Sequence, residues 1–234
     1  MKNLATGLVL CLATASASAE VLTFDYVALA SKTVYFYDGT ETTVASVRVD
    51  GSTINTGDTL RGSFSIDLTT PLTYYHQTDN QVSGSYNTKE AGSPNLIGFS
   101  DLQSGYGYTP HTDEFLHLTI YDGVPGLRED AMVMGHGSGP HSIQLVFNQD
   151  AGTLFSSTSL NVTRSLVGAN GVLSYSYTDY SRDGTVSIVR ADLTSLTLRS
   201  VSPVPEPSVY AMLLLGVATV AAIGRRRRQT ARIG

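Results

Sequence analysis

Apolar side chains return at every second position through most of residues 20–201, and that period settles the fold class before any motif is considered. Successive side chains of a β-strand point to opposite faces, so a half-buried strand alternates apolar and polar. Phe64, Ile66 and Leu68 alternate with Ser63, Ser65 and Asp67, and Leu116, Leu118 and Ile120 with His117 and Thr119. Ile143, Leu145 and Phe147 share one face, as do Leu173, Tyr175 and Tyr177. Leu196 and Leu198 face away from Ser195, Thr197 and Arg199. Further strands are expected near 21–29, 33–37, 43–49, 96–101, 153–162 and 184–190. Within 20–201 no stretch sustains the 3.6-residue period of a helix.

The separators agree. Asp38-Gly39, Asp50-Gly51, Asp122-Gly123, Asn170-Gly171 and Asp183-Gly184 are pairs that accept positive φ at little cost, the chemistry of tight hairpins. About ten short strands joined this way predict an all-β domain, an antiparallel β-sandwich of jelly-roll type. Segments 71–95 and 122–140, the latter rich in glycine, are expected as long surface loops.

The two ends differ from this middle. Lys2, the apolar run Leu4 to Ala13, and the small residues Ala17-Ser18-Ala19 before Glu20 form a cleavable signal peptide over 1–19. Cys11, the chain's one cysteine, lies inside the apolar run behind Leu10, where a lipobox requires a small residue. The mature chain is therefore expected to begin at Glu20 with no disulfide and no thiol. At the other end, 202–207 is a proline-rich linker, stiff and extended because proline fixes φ and restricts its predecessor. Residues 208–223 then offer about 16 mostly apolar residues, roughly 24 Å of helix, slightly short of a hydrocarbon core of about 30 Å. Arg225, Arg226, Arg227 and Arg228 in the basic tail 224–234 hold that end in the cytoplasm by the positive-inside rule. The middle, 20–201, is thus displayed on the far side of the membrane.

Charge narrows the partners. Six of the 15 basic residues but only Glu206 of the 20 acidic ones fall in the two ends, leaving 9 against 19 and a formal charge of −10 between them. An exported domain of that sign repels nucleic acid and anionic membrane surfaces. Solubility is the simplest use of it.

Pro205-Glu206-Pro207, the short apolar helix and the arginine cluster, in that order and spacing, resemble the PEP-CTERM sorting signal of Gram-negative bacterial surface proteins. The resemblance implies export by Sec-type machinery and a membrane-anchored precursor. It also implies processing by an exosortase, a membrane-embedded transpeptidase-like enzyme, in bacteria that make exopolysaccharide. The segment Gly57 to Asp67, followed by Thr70-Pro71, is similar to an early strand of many such proteins, over about fifteen residues.

Candidate chemistry in the middle is sparse. Gly135-His136-Gly137-Ser138-Gly139 has His136 where a nucleophile elbow needs glycine, and is read as a glycine-rich loop. His111, His117, His136 and His141 follow no zinc-helix spacing and are read as scattered surface residues. Asp113 with Glu114, or Glu129 with Asp130, are neighbours in sequence, which does not establish two carboxylates across a cleft. No cofactor is expected. Calcium is the one metal these acidic loops have the chemistry for, though no D-x-D-x-D-G run is present. Tyrosine is abundant, 13 against no tryptophan. Tyr175 and Tyr177 are assigned to packing, and Tyr106 and Tyr108 to an exposed position suited to stacking on sugars. The sequence therefore reads as a non-enzymatic surface or extracellular-matrix protein, structural or adhesive within exopolysaccharide. The alternatives are a carbohydrate-binding module, marked by an exposed aromatic strip, and a secreted hydrolase, marked by a carboxylate or Ser/His pair in a cleft.

Overall fold

The computed structural model describes residues 19–88, 95–110, 116–182 and 184–204. Val21–Ser202 forms one compact unit. The ends Met1–Glu20 and Pro203–Gly234 group separately and lie almost wholly outside the described residues.

The strands are β1 (Ala19–Tyr37), β2 (Thr40–Val44), β3 (Ser46–Val49), β4 (Ser52–Asn55), β5 (Thr59–Asp67), β6 (Tyr74–Gln77) and β7 (Gln81–Thr88). They continue as β8 (Leu96–Asp101), β9 (Gly107–Tyr108), β10 (Leu116–Gly123), β11 (Asp130–Ser138), β12 (His141–Gln149), β13 (Gly171–Asp179) and β14 (Thr185–Val204). Twelve of them form one sheet in the order β6-β7-β10-β11-β12-β13-β14-β1-β5-β8-β9, with β2 added on β1, and β3 and β4 form a separate two-stranded sheet. Every pairing with a defined register is antiparallel.

The sheet rolls until its inner faces meet. Four strand steps separate β5 from β12 along the hydrogen-bonded path, about 19 Å at roughly 4.8 Å per step. Yet the rings of Phe64 and Phe147 lie with centroids 5.8 Å apart. Only a sheet folded back on itself allows that contact. Phe24 stacks on Phe64 at 4.8 Å, and Leu118, Ile120, Met132, Met134, Ile143 and Leu145 complete a core with almost no exposure.

A jelly roll has two separate sheets, whereas here one path runs through both layers. The reason is the length of β1 and β14, 19 and 20 residues. The ladder of β14 with β13 ends at Asp192, and beyond it Thr194 Oγ1 donates to the Val27 carbonyl of β1 at 3.2 Å. The buried side of β14 changes there, from Ser187, Val189 and Ala191 to Leu196. One strand thus serves both layers, neighbouring β13 and β1.

Several expected elements differ in detail. Segments 21–29 and 33–37 join into β1, and 43–49 divides at a bend at Ala45. Residues 153–162 are not a strand: Leu154 and Phe155 are buried in a turn, and a 3-10 helix, Leu160–Leu166, begins behind Ser159. The supposed loop 71–95 holds β6 and β7, and the supposed loop 122–140 holds β11. Asp38-Gly39 and Asp50-Gly51 do make two-residue hairpins, with φ of 46° and 74°, and 45° and 84°. Gly184 also has positive φ, but Gly123 and Gly171 do not. A Cβ on Gly171 would stand 2.8 Å from the Phe147 ring, so close approach rather than a turn requires that glycine.

Candidate functional site

Alternation along β13 turns Tyr175 into the core, where it is fully buried. The rolled sheet brings β8 and the segment leading into β9 against it. Its hydroxyl lies 2.6 Å from that of Tyr106 and 2.6 Å from His141 Nδ1. Phe99 meets the Tyr175 ring edge-on at 4.9 Å, and Tyr108 stacks on His141 at 4.7 Å. Tyr106 and Tyr108 are therefore half-buried parts of a cluster, not the exposed pair expected from their glycine neighbours. Tyr175 is core, as its strand face indicated. Burial raises the pKa of Tyr175, with its contact to Tyr106 adding to the effect, and burial likewise raises that of Tyr106. Both phenols stay protonated at neutral pH, which suits a satisfied hydrogen-bond chain and not a general base.

The carboxylate candidates do different work. Asp130 is completely buried: its Oδ1 accepts from Gly123 N at 3.0 Å, and its Oδ2 from Leu154 N at 3.1 Å and Phe155 N at 2.9 Å. Adjacent Glu129 is exposed and accepts from Asn148 Nδ2 at 3.0 Å. They form no paired site. Asp130 clasps the β10–β11 turn to the buried turn before the 3-10 helix. Burial raises the carboxyl of Asp122 above its usual range, and the charge on Asp130 adds to this. Asp113, Glu114 and His111 lie outside the described residues.

The histidines separate as well. His136 is buried on β11, a correction to its reading as a surface residue, because Asp130, Met132, Met134 and His136 share the inner face. His117 is half-buried, with Nδ1 2.8 Å from Asn87 Oδ1 and Nε2 2.8 Å from Thr119 Oγ1. Among the described residues no three His, Cys, Asp or Glu side chains gather as a metal site would require. Gly135 to Ser138 is strand, and Gly139-Pro140 is the two-residue turn before His141.

Sequence reasoning missed a cleft on the outer face of β14, β1, β5 and β8. One cross-strand row runs Asp25, Ser63, Gly98, and the next runs Val27, Arg61, Ser100. The small side chain of Ser63 leaves a depression of about 590 Å³ among longer ones, while Thr109 packs over Gly98 and, with Thr197, is also on the lining. Arg199 closes one side by clasping Asp25, its Nε donating to Oδ2 at 2.7 Å and its Nη2 to Oδ1. The only signal for this in the sequence is the run of small polar residues on one strand face, which every solvated sheet shows.

Of the terminal candidates, Ala19 opens β1. Ala17, Pro205, Glu206, Pro207 and Arg225 to Arg228 lie outside the described residues, as does 208–223. Among the described residues no helix is long and apolar enough to cross a membrane. Comparison with curated proteins gives no match. The family model of the PEP-CTERM protein-sorting motif matches residues 203–228, covering the proline motif, the apolar segment and all four arginines. The motif implies export, sorting to the surface and processing by an exosortase. The chain is accordingly an all-β protein that carries a PEP-CTERM sorting motif at its C-terminal end.

Proposed function

We propose that the rolled β-domain is a non-enzymatic building or adhesive component of the cell surface or the exopolysaccharide matrix. It is exported behind a signal peptide, held in the membrane by 208–223, and then processed next to Pro205-Glu206-Pro207. The sorting motif at 203–228 is the observation that carries this reading. The separate structural duties of Asp130, His117 and His141 favour a non-catalytic role. Replacing Pro205 and Pro207 by alanine restores two backbone N–H groups and frees φ while leaving the apolar segment intact. In an exosortase-containing host the full-length membrane form of this variant should accumulate, and mass spectrometry of the wild-type termini should find Glu20 first. Unchanged processing of the variant would refute the sorting part.

A carbohydrate-binding role is favoured by a second observation. Edge strand β6 is exposed throughout, with Tyr74 at 60% and Tyr75 at 52% exposure, and the ring of His76 lies 14° from parallel to Tyr74. Exposed flat rings of this kind stack on sugars.

A further inference from the structure

The outer cleft across β14, β1, β5 and β8 has three properties that together point to one ligand class. It is concave, where the solvated face of a sheet is ordinarily level, and its volume of about 590 Å³ is within the usual range for ligand sites. Hydroxyls line it, from Ser63, Ser100, Thr109 and Thr197, and each can both donate and accept as a sugar hydroxyl requires. Arg61 stands in its wall with an exposed side chain and, among the described residues, no carboxylate partner, whereas Arg199 opposite is already held by Asp25. On a domain of formal charge −10, a cleft with two arginines against one aspartate is locally cationic.

We propose that this cleft binds a carboxylate-bearing saccharide, with Arg61 taking the carboxylate through its planar fork and the serine and threonine hydroxyls taking the ring hydroxyls. An acidic peptide is the poorer fit. β5 is paired on both sides, by β1 and β8, so the floor offers no free sheet edge to which an extended chain can add. The proposal deepens the matrix reading and rests on it only for the setting in which the ligand is met.

The test is calorimetric titration of the full chain in detergent micelles with tetragalacturonate, maltotetraose and tetraglutamate. Tetragalacturonate should bind, more weakly as salt rises, and ahead of both other probes. Arg61→Gln should weaken it at least about tenfold, the scale of one charge-assisted contact. Ser63→Tyr, which fills the floor from the solvent side, should abolish binding with the thermal melt unchanged. The cleft proposal is overturned if wild type does not bind tetragalacturonate, if either variant binds as wild type does, or if tetraglutamate or maltotetraose binds equally well. Tail processing in the host is read separately. Lost binding with normal processing removes the cleft alone, and failed processing with intact binding removes the sorting reading alone.

Discussion

Asp130 satisfies three buried backbone N–H groups with one carboxylate, so its loss strands all three at once. Each orphaned donor costs about 1–3 kcal/mol. Asp130→Ala should therefore destabilise by at least about 3 kcal/mol in urea unfolding, and Asp130→Asn, which keeps one acceptor oxygen, by less. A loss under about 1 kcal/mol would mean that water reaches these amides. The buried phenols give a pH signature. Tyr26 and Tyr175 have pKa values raised by burial, and an unfolded tyrosine titrates near 10. Above about pH 10 the unfolded chain releases protons that the folded chain keeps, so stability is full below that pH and falls as pH rises beyond it. Thermal melts from pH 8 to 11 should show the fall, and Tyr26→Phe should flatten it while losing the bond to the Gly98 carbonyl. An unchanged alkaline slope in that variant would show that Tyr26 does not contribute.

Contact between elements distant in the sheet is what makes the roll, and Phe64 with Phe147 is its clearest instance. Each change to alanine should cost about 3–5 kcal/mol. The double variant should cost less than the sum of the two, because neighbours that share one contact couple. Additive losses in a urea double-mutant cycle would refute direct packing of β5 on β12. The same elements show what sequence could reveal. β5, β8, β10, β12 and β13 were legible because bulky apolar residues occupy most of their inward positions. β11 kept the same alternation in Met132, Met134 and His136, but Gly135 and Gly137 on its other face imitated a loop. β7 carried almost no signal, since one of its inward positions is Gly84, where a Cβ would meet Thr158 at 3.0 Å and Leu72 at 3.1 Å. Residues 153–162 misled for the opposite reason: Leu154, Phe155 and Leu160 are as buried as strand residues, but the segment is a turn and helix plug. The outer cleft was illegible because it exists only in the register of strands far apart in sequence.

For the whole molecule, the strand and turn patterns of the sequence all lie within residues 20–201, and the one cysteine lies outside that span. Residues 20–201 expressed alone should fold, show β-rich circular dichroism with little helix, and melt identically with and without reducing agent. Chelator should leave the melt unchanged. A large drop would mean that a cation binding only the folded state contributes to stability, and would direct attention to the acidic segments near Asp113 and Asp130. One feature of the architecture bears on how such a protein would take strain. β14 is at once an interior strand of the sheet, hydrogen-bonded to β13 and β1, and the segment that ends at Val204, next to Pro205. A pull applied at Val204 along the strand axis would enter the domain lengthwise. The strand's rungs to β1, joined from Asp192 inward by those to β13, are then loaded in shear, whereas an edge strand would unzip one rung at a time.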